Sequence, residues 1–294
     1  MRTVTVELVE AFVDGGVGGN VAGMVVEGAV DLSPTQRQEI ARRVAVSETA
    51  FVLPSATADY KLEFYTPTRP IPHCGHATVG TFARLAESGR LPRVEVVNET
   101  VDGPRRIHIE GTRAFLEQVP AELTRLDKPT TLEVLDSLGI TMGQLLPDGA
   151  PFLANNGNRS ILIGISDLDV LRSLRLDMAR IEAITNRLQS VCYYAFSLQS
   201  VVDGRDATAR MFGPAYGIPE ESATGMAAGP LACWLDSKGG GQRREFKLEQ
   251  GYLMSPASPS LILAKPERSG SRLAAMWIGG SARVRGVRQI QVDS

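Results

Sequence analysis

Polar and apolar side chains alternate at the start of the chain, where Thr3 and Thr5 flank Val4. A period of two is typical of a β-strand, because successive side chains of a strand point to opposite faces. Similar patterns predict strands over residues 3–12, 21–26, 50–53, 61–65, 93–98, 106–110 and 114–118. Ser33 and Pro34 have the pattern of a capped helix that ends at Val44. A second helix is predicted over residues 77–88.

The second half of the chain repeats this plan. Helices are predicted near residues 131–138, 177–190 and 226–237, among strands at 160–164, 191–198, 208–212 and 260–264. The polar segment 120–129 begins and ends with proline, and we interpret it as the crossover between the halves. Residues 238–242 lack a phosphate-loop pattern, so a solvent-exposed turn is expected there. The predicted fold class is α+β, with each half mostly sheet around one long helix.

A short motif occurs twice. The first copy leads from a strand to Cys74 and Gly75, and the second leads to Thr224 and Gly225, 150 residues later (225 − 75). A helix is predicted to begin at each copy. The first turn of a helix presents unpaired N–H groups and the positive end of the helix dipole, which bind a carboxylate or phosphate. The repeat predicts a duplicated fold in which an anionic substrate lies between two helix starts.

Composition limits the class of protein. A chain of 294 residues fits one large domain or two of about 150 residues. The repeat favours two, with residues 1–119 as the first half and 130–294 as the second, whose last strand can return to the first half. Apolar residues make up 43%, charged residues 22%, and the net charge is −2. These ordinary values favour neither nucleic acid nor an anionic membrane as a partner.

Signals for export and cross-linking are missing from the sequence. The N-terminus has no apolar signal-peptide core, and no apolar run reaches the about 18 residues of a membrane helix. A soluble cytoplasmic protein is therefore expected. The three cysteines, Cys74, Cys192 and Cys233, are an odd number without CxxC spacing, which argues against a disulfide scaffold and a zinc ribbon.

Motifs through most of the chain match those of one family. They are Glu10–Asp14, Gly19–Asn20, Ser47–Val52, Tyr65–Pro67, Cys74–Thr78, Arg210–Pro214, Ala223–Gly225, Gly229–Ala232 and Gln250–Gly251. Each motif is short, but their number and order are specific for the fold. The chain resembles the PhzF-like phenazine-biosynthesis family, whose two-domain fold is shared with diaminopimelate epimerase and proline racemase.

The resemblance implies a diaminopimelate epimerase-like fold. Its two pseudo-symmetric domains each form a β-barrel-like sheet around a long helix, with a substrate cleft between them. It also implies a homodimer that uses no metal and no organic cofactor. The best understood member isomerises a dihydroxylated aminobenzoic acid by moving a proton, so a small anionic substrate is expected.

Glu48 matches the family's glutamate that acts as general acid and base. Proton transfer near neutral pH favours a carboxyl whose pKa lies above its usual value of about 4.3. The apolar neighbours Ala50 and Phe51 predict a setting that raises this pKa. A solvated glutamate, capped by Ser47 and Thr49, is the alternative.

His76 and Cys74 complete the predicted catalytic set. His76 matches a histidine that faces the substrate, where a neutral imidazole can donate a hydrogen bond or relay a proton. His73 and His108 are placed outside the set. Related epimerases and racemases carry a catalytic cysteine where Cys74 stands, and a helix N-terminus would lower its pKa. Its repeat partner is Thr224, so inversion between two thiols is not expected. A structural histidine and a small, packed cysteine are the alternatives.

The second copy departs from the family's EDPATGS pattern. Glu221 replaces an aspartate that helps to hold the substrate, and Met226 replaces a serine, which removes a hydroxyl donor. Thr224 and the backbone amides of Gly225 and Met226 remain as predicted substrate-binding groups. A substrate other than the family's phenazine intermediate is therefore expected.

Two further residues are predicted to bind substrate in the first half. Gly75 offers a backbone amide at the first helix start. Asn20 follows the glycine-rich residues 15–19 and matches the family's GN position near the cleft. A simple turn residue is the alternative for Asn20, because asparagine tolerates positive φ.

Three functions are compatible with these residues. The first is a cofactor-independent isomerase in which Glu48, aided by His76, moves a proton on a small carboxylate-bearing substrate. The second is a lyase or dehydratase with Cys74 as the base. The third is a non-catalytic binding or interaction protein, which Ser222 and Met226 would suggest.

Overall fold

The computed structural model describes residues 1–101 and 103–293. The α-helices are α1 (Pro34–Val44), α2 (Gly75–Glu87), α3 (Lys128–Leu138), α4 (Leu168–Arg172), α5 (Met178–Arg187) and α6 (Gly225–Lys238). The strands are β1 (Arg2–Ala11), β2 (Asn20–Val25), β3 (Thr49–Leu53), β4 (Tyr60–Tyr65), β5 (Pro70–Ile71), β6 (Glu95–Thr100), β7 (Gly103–Glu110), β8 (Arg113–Gln118), β9 (Glu122–Arg125), β10 (Phe152–Asn155), β11 (Arg159–Ile165), β12 (Cys192–Ser197), β13 (Ala207–Gly213), β14 (Ile218–Glu221), β15 (Phe246–Gln250), β16 (Ser260–Ser269), β17 (Arg272–Gly280) and β18 (Ala282–Val292).

The chain divides into two compact units. The first unit consists of Met1–Glu117 and the segment from Gly279 onward, and the second consists of Gln118–Ile278. Strand β18, close to the end of the chain, therefore belongs to the same unit as β1.

A curved sheet surrounds helix α2 in the first unit. Strand β1 pairs antiparallel with β18 and β2, β2 pairs parallel with β3, and β3 pairs antiparallel with β4. Strand β4 pairs antiparallel with the short β5 and parallel with β6, which continues antiparallel into β7 and β8. Helix α2 contacts β1, β2, β3, β7 and β18. It buries nine of its thirteen residues, because strands cover it on several sides.

Strand β1 is buried on one face over its first half and on both faces over its last four residues, 8–11. Val4 and Val6 belong to a hydrophobic cluster with residues of α1. Val9, which points to the opposite face, lies against α2, where a Cβ added to Gly80 would approach its Cγ1 to 3.3 Å. Glycine at position 80 thus allows the helix to pack closely on the strand.

The second unit repeats the pairing order of the first. Strand β10 pairs antiparallel with β9 and β11, β11 parallel with β12, and β12 antiparallel with β13. Strand β13 pairs antiparallel with the short β14 and parallel with β15, which continues antiparallel into β16. The order from β10 to β16 equals that from β1 to β7, and α6 follows β14 as α2 follows β5. The duplicated fold predicted from the repeated motif is confirmed.

The structure corrects part of the predicted organisation. The segment 120–129, interpreted as a crossover, contains strand β9 and the start of α3. Helix α4 and strands β5, β10, β14, β15 and β17 were not predicted, and β18 was predicted only as a last strand without bounds. The predicted capped helix is confirmed, since Ser33 accepts a hydrogen bond from the backbone of Gln36 and the Gln36 side chain accepts one in return. In the part of the chain that the structure describes, every helix is too short or too polar to cross a membrane.

Candidate active site

Glu48 lies in the short connection between α1 and β3. Its backbone carbonyl accepts a hydrogen bond of 2.9 Å from the amide of Gly23 on β2. A side chain at position 23 would collide with Thr49, whose Oγ1 lies 2.7 Å from the position of a Cβ. The close contact of β2 with the start of β3 therefore holds the backbone of Glu48. Its side chain points inward, and the residue is only 9% exposed.

The start of α2 supplies the other two predicted catalytic residues. Cys74 is the N-cap of this helix, although its side chain makes no capping hydrogen bond, and Gly75 and His76 are the first two helical residues. The hydroxyl of Thr78 donates a hydrogen bond of 2.7 Å to the carbonyl of Cys74. His76 is 5% exposed and Cys74 is 7% exposed. Both side chains are thus held inside the first unit at a helix start.

Glu48, His76 and Cys74 form one buried cluster, which we call the carboxylate–imidazole–thiol cluster. Nε2 of His76 lies 3.2 Å from Oε2 of Glu48, and Nδ1 of His76 lies 3.5 Å from Sγ of Cys74. Among the residues that the structure describes, Oε2 of Glu48 is a buried acceptor with no hydrogen bond of good geometry. A buried acceptor of this kind is costly unless a ligand or water satisfies it.

The carboxyl and the imidazole stabilise each other's charged forms. Burial raises the pKa of Glu48, but His76, with smaller effects of Ser47 and Cys74, outweighs burial, and the pKa lies below its usual value. Burial alone would lower the pKa of His76, whereas the contacts with Cys74 and Glu48 raise it well above its usual value. The prediction of a raised Glu48 pKa, made from its apolar neighbours, is therefore wrong, and so is the expected neutral imidazole.

Cys74 stays protonated in this setting. Burial raises the pKa of its thiol above the usual value, and the nearby imidazole offsets only part of the shift. The predicted effect of the helix N-terminus, a lowered pKa, is wrong because the cost of burying a thiolate dominates.

Asn20 lies at the start of β2 and is 8% exposed. The next residue, Val21, receives a contact of 3.5 Å from the hydroxyl of Ser47, which precedes Glu48. The paired part of β2 and β3 begins at Gly23 with Thr49, so Asn20 lies outside this register. Gly19 precedes Asn20 and has a φ of +90°. A Cβ at position 19 would lie 2.7 Å from the carbonyl oxygen of Ala11, so glycine fits there better than any residue with a side chain.

The start of α6 gathers the predicted residues of the second unit. Thr224 is the N-cap of α6, the position that Cys74 has in α2, and Gly225 and Met226 are the first two helical residues. The Thr224 hydroxyl donates a hydrogen bond to the carboxylate of Glu221. The amides at the first two positions of a helix have no partner within the helix, and the anion-binding role of those of Gly225 and Met226 stays a prediction.

Gln250 holds this helix start with all of its hydrogen-bonding groups. Its Oε1 accepts hydrogen bonds of 3.0 Å each from the amide of Thr224 and the hydroxyl of Tyr194. Its Nε2 donates to the carbonyl of Glu221 at 2.7 Å and to Oγ1 of Thr224 at 3.1 Å. A glutamine side chain offers two donors and two acceptor sites. Gln250 therefore fixes the loop between β14 and α6. The sequence indicated Gln250 through the family motif but gave no sign of Tyr194.

The remaining histidines lie apart from the cluster. The ring of His73 is edge-on to that of Phe64 with a centroid distance of 6.1 Å. His108 on β7 lies 3.6 Å from a carboxylate oxygen of Glu95 and 3.7 Å from one of Glu110. The structure thus assembles Glu48, Cys74 and His76 in the first unit, with these two histidines outside.

Comparisons with known proteins agree with the motifs. The family model described as phenazine biosynthesis-like protein matches residues 9–285. The chain is 34% identical over 233 residues to uncharacterized isomerase YddE of Escherichia coli O157:H7, with 77% of each chain covered. It is 29% identical over 281 residues to trans-2,3-dihydro-3-hydroxyanthranilate isomerase of Pseudomonas chlororaphis, with 93% of this chain and 94% of that protein covered.

A solved structure shows the same fold. The phenazine biosynthesis protein of the PhzF family from Bacillus anthracis superposes with a TM-score of 0.86 at 23% identity, over 99% of this chain and all of that one. The predicted α+β fold class and the resemblance stated from the motifs are both confirmed. The chain is an isomerase that belongs to the phenazine biosynthesis-like protein family.

Proposed function

We propose that this chain is a cofactor-independent isomerase that moves a proton on a small carboxylate-bearing substrate, with Glu48 as general acid and base. The observation that supports this proposal most strongly is the position of Oε2 of Glu48. It is a buried carboxylate oxygen that lies 3.2 Å from Nε2 of His76. Such an oxygen can accept a proton from a substrate carbon, with the imidazole beside it to favour the carboxylate when the proton leaves.

The charge states favour Glu48 as the base in the first step. Because His76 lowers the pKa of Glu48, the carboxylate is ionised before the substrate binds. It takes a proton from one carbon of the substrate and becomes a neutral carboxyl. The imidazolium of His76 remains beside it and disfavours the protonated carboxyl, which promotes transfer of the proton to a second carbon. The double bond shifts, the carboxylate is restored, and no atoms are gained or lost.

The proposed substrate class has two supports. One relative is named for an isomerase of a hydroxylated dihydroanthranilate, which is a carboxylate. The amide of Gly75 lies at the start of α2, next to the cluster, where a helix favours an anion. The substrate-binding roles of Asn20, Glu221, Thr224, Gly225 and Met226 stay predictions from the resemblance. The cytoplasmic location and the homodimer also stay predictions. Light scattering can test the homodimer.

Two other functions are less well supported. A lyase with Cys74 as its base needs a thiolate, but burial raises the pKa of that thiol. A protein that only binds a ligand is less well supported because the relatives are named isomerases. Neither alternative explains Oε2 of Glu48 as well as proton transfer does.

The test follows the products of a panel of small amino and hydroxy carboxylic acids by NMR and mass spectrometry. The panel includes trans-2,3-dihydro-3-hydroxyanthranilate. Wild-type protein is compared with Glu48→Gln, with Cys74→Ala, and with Glu39→Gln as a control at a carboxylate on α1 that pairs with Arg42 and Arg43.

An isomer of unchanged mass, formed by wild type, Cys74→Ala and Glu39→Gln but not by Glu48→Gln, supports the proposal. A dehydrated product that requires Cys74 supports the lyase. Saturation-transfer signals without any product support a binding protein.

A further inference from the structure

Tyr194 on β12 is a fully buried polar side chain that has no part in the proposed proton transfer. Its hydroxyl donates a hydrogen bond of 3.0 Å to Oε1 of Gln250, and both residues are 0% exposed. A phenylalanine ring would fill the same space without a polar group to satisfy. The hydrogen bond to Gln250 is thus what distinguishes tyrosine from phenylalanine at this position.

The backbone fixes the direction of every hydrogen bond around Gln250. Its Oε1 faces the amide of Thr224 at 3.0 Å, and an N–H can only donate. Its Nε2 faces the carbonyl of Glu221 at 2.7 Å, and a carbonyl can only accept. These two contacts allow one orientation of the Gln250 amide. Because Oε1 carries no hydrogen, the Tyr194 hydroxyl must be the donor in its contact with Gln250.

The donors continue in one direction from Tyr194 to a carboxylate before α6. Nε2 of Gln250 donates a hydrogen bond of 3.1 Å to Oγ1 of Thr224. The Thr224 hydroxyl then donates to the carboxylate of Glu221. Each donor in such a chain polarises the next one, and the interior of a protein strengthens all of them because its dielectric constant is low. The Tyr194 hydroxyl is therefore coupled to Glu221 through two intervening side chains.

We propose that Tyr194 is a positioning residue for substrate binding, which acts through Gln250 on the start of α6. This inference rests on the proposed function, in which Glu221, Thr224 and the first amides of α6 bind a small carboxylate-bearing substrate. Groups that are fixed before binding avoid the cost of being ordered when the substrate arrives. The groups that move the proton belong to the first unit. Loss of the Tyr194 hydroxyl is thus expected to weaken binding and to leave the proton-transfer step unchanged.

Tyr193→Phe provides a matched control for Tyr194→Phe. Tyr193 is the preceding residue of the same strand and is also 0% exposed. Its hydroxyl accepts a hydrogen bond of 3.3 Å from the hydroxyl of Ser137 on α3. Each variant removes one buried hydroxyl and one hydrogen bond between side chains, so a similar loss of stability is expected. Only Tyr194→Phe interrupts the chain of donors that ends at Glu221.

The test follows the backbone amides of Gly225 and Met226 by NMR while the full-length protein is titrated with anthranilate, a stable small carboxylate. Tyr194→Phe is expected to shift these amide signals before ligand is added and to raise Kd by about two- to tenfold, the effect of one neutral hydrogen bond. Tyr193→Phe is expected to leave the signals and Kd unchanged. In the isomerase assay, KM of Tyr194→Phe is expected to rise with Kd while kcat stays at the wild-type value.

A second variant makes the result independent of the folding of Tyr194→Phe. Gln250→Met keeps an unbranched side chain of similar length but removes the amide in the middle of the chain of donors. Its Kd is expected to rise more than that of Tyr194→Phe.

Three outcomes would overturn the proposal. They are wild-type Kd values in Tyr194→Phe and Gln250→Met, an equal rise of Kd in Tyr193→Phe, and amides of Gly225 and Met226 that do not respond to anthranilate in wild type. Because the titration requires no turnover, these outcomes are separate from the presence or absence of isomerase activity.

Discussion

Glu48 and His76 are a buried ion pair, and each changes the proton affinity of the other. The Glu48 pKa is lowered, so the stability that this carboxylate contributes is present above its unfolded pKa and is lost as pH falls through the folded value. The His76 pKa is raised, so its contribution is present below the unfolded value of about 6.5 and is lost as pH rises through the folded value. Both contributions coexist near neutral pH, where the proposed chemistry needs an ionised Glu48.

The first prediction concerns the proton on His76. In wild-type protein the imidazole of His76 is expected to remain charged above a pH of about 6.5, which is the ordinary pKa of histidine. In Glu48→Gln the pKa of His76 is expected to fall, because burial remains and the carboxylate charge is gone. Histidine side-chain NMR spectra recorded across a pH series measure both values. A neutral His76 at pH 6, or a pKa that does not change in Glu48→Gln, would contradict the ion pair.

The sequence indicated these residues but not the sign of the pKa shift. The apolar neighbours of Glu48 predict burial, and burial by itself raises the pKa of a carboxyl. The larger effect on the pKa of Glu48 is the lowering by His76, which lies 28 residues further along the chain (76 − 48) and 3.2 Å away in space. A local window cannot contain that contact.

Helix α6 tolerates a proline because a side chain replaces the missing donor. Pro230 lies inside the helix and lacks the N–H that would pair with the carbonyl of Met226, four residues earlier. Nδ2 of Asn156 donates a hydrogen bond of 3.1 Å to that carbonyl and one of 2.9 Å to Oε1 of Gln118. Nε2 of Gln118 in turn donates to the carbonyl of Gly225 at 3.0 Å. Two amide side chains thus complete the first turn.

The second prediction is a coupling between Asn156 and Pro230. Asn156→Leu is expected to destabilise the protein by about 1–3 kcal/mol, because it leaves the Met226 carbonyl without a donor. In a Pro230→Ala background the new N–H can pair with that carbonyl, so the same change is expected to cost about 1 kcal/mol less. Urea unfolding of the four proteins measures the coupling.

Asn158→Leu makes the same change two residues away at an exposed position. It is expected to stay within about 0.5 kcal/mol of wild type. Equal costs of Asn156→Leu in both backgrounds would show that Asn156 does not act through the proline gap.

Local signals predicted some elements and missed others for physical reasons. Helix α1 was predicted because Ser33 and Pro34 act within one turn of its start. Strand β9 was missed because its four residues are mostly exposed and form a strand only through pairing with β10. Short strands of this kind depend on partners that are distant in the sequence.

The order of strand pairing is the same in both units. In the first unit, strand β18 near the end of the chain pairs with β1. Strand β18 pairs with β1 from Arg2 with Val292 to Ala11 with Ala282. Ile290 and Val292 join the hydrophobic cluster that includes residues of α1. The duplicated motif indicated the repeat, but it did not fix this pairing, because β18 has mostly exposed side chains and a weak apolar pattern.

The third prediction tests the contribution of β18 to the first unit. Ile290→Ala is expected to lower the free energy of unfolding by about 2–4 kcal/mol, because Ile290 is 9% exposed and its loss leaves a cavity. Val287→Ala on the same strand, where the side chain is 56% exposed, is expected to change it by less than about 0.5 kcal/mol. Similar costs for the two variants in urea unfolding would contradict the pairing of β18 with β1.

The measurement that tests the central claim most directly is deuterium incorporation from heavy water into a turned-over substrate, followed by NMR for wild type and Glu48→Gln. The proton held by the Glu48 carboxyl can exchange with solvent before it is transferred, so wild-type protein is expected to place deuterium at the receiving carbon in part of the product. Glu48→Gln is expected to do so at least about 100-fold more slowly, the lower limit for the loss of a general acid–base. Deuterium incorporation at an undiminished rate in a correctly folded Glu48→Gln would show that Glu48 is not the group that moves the proton.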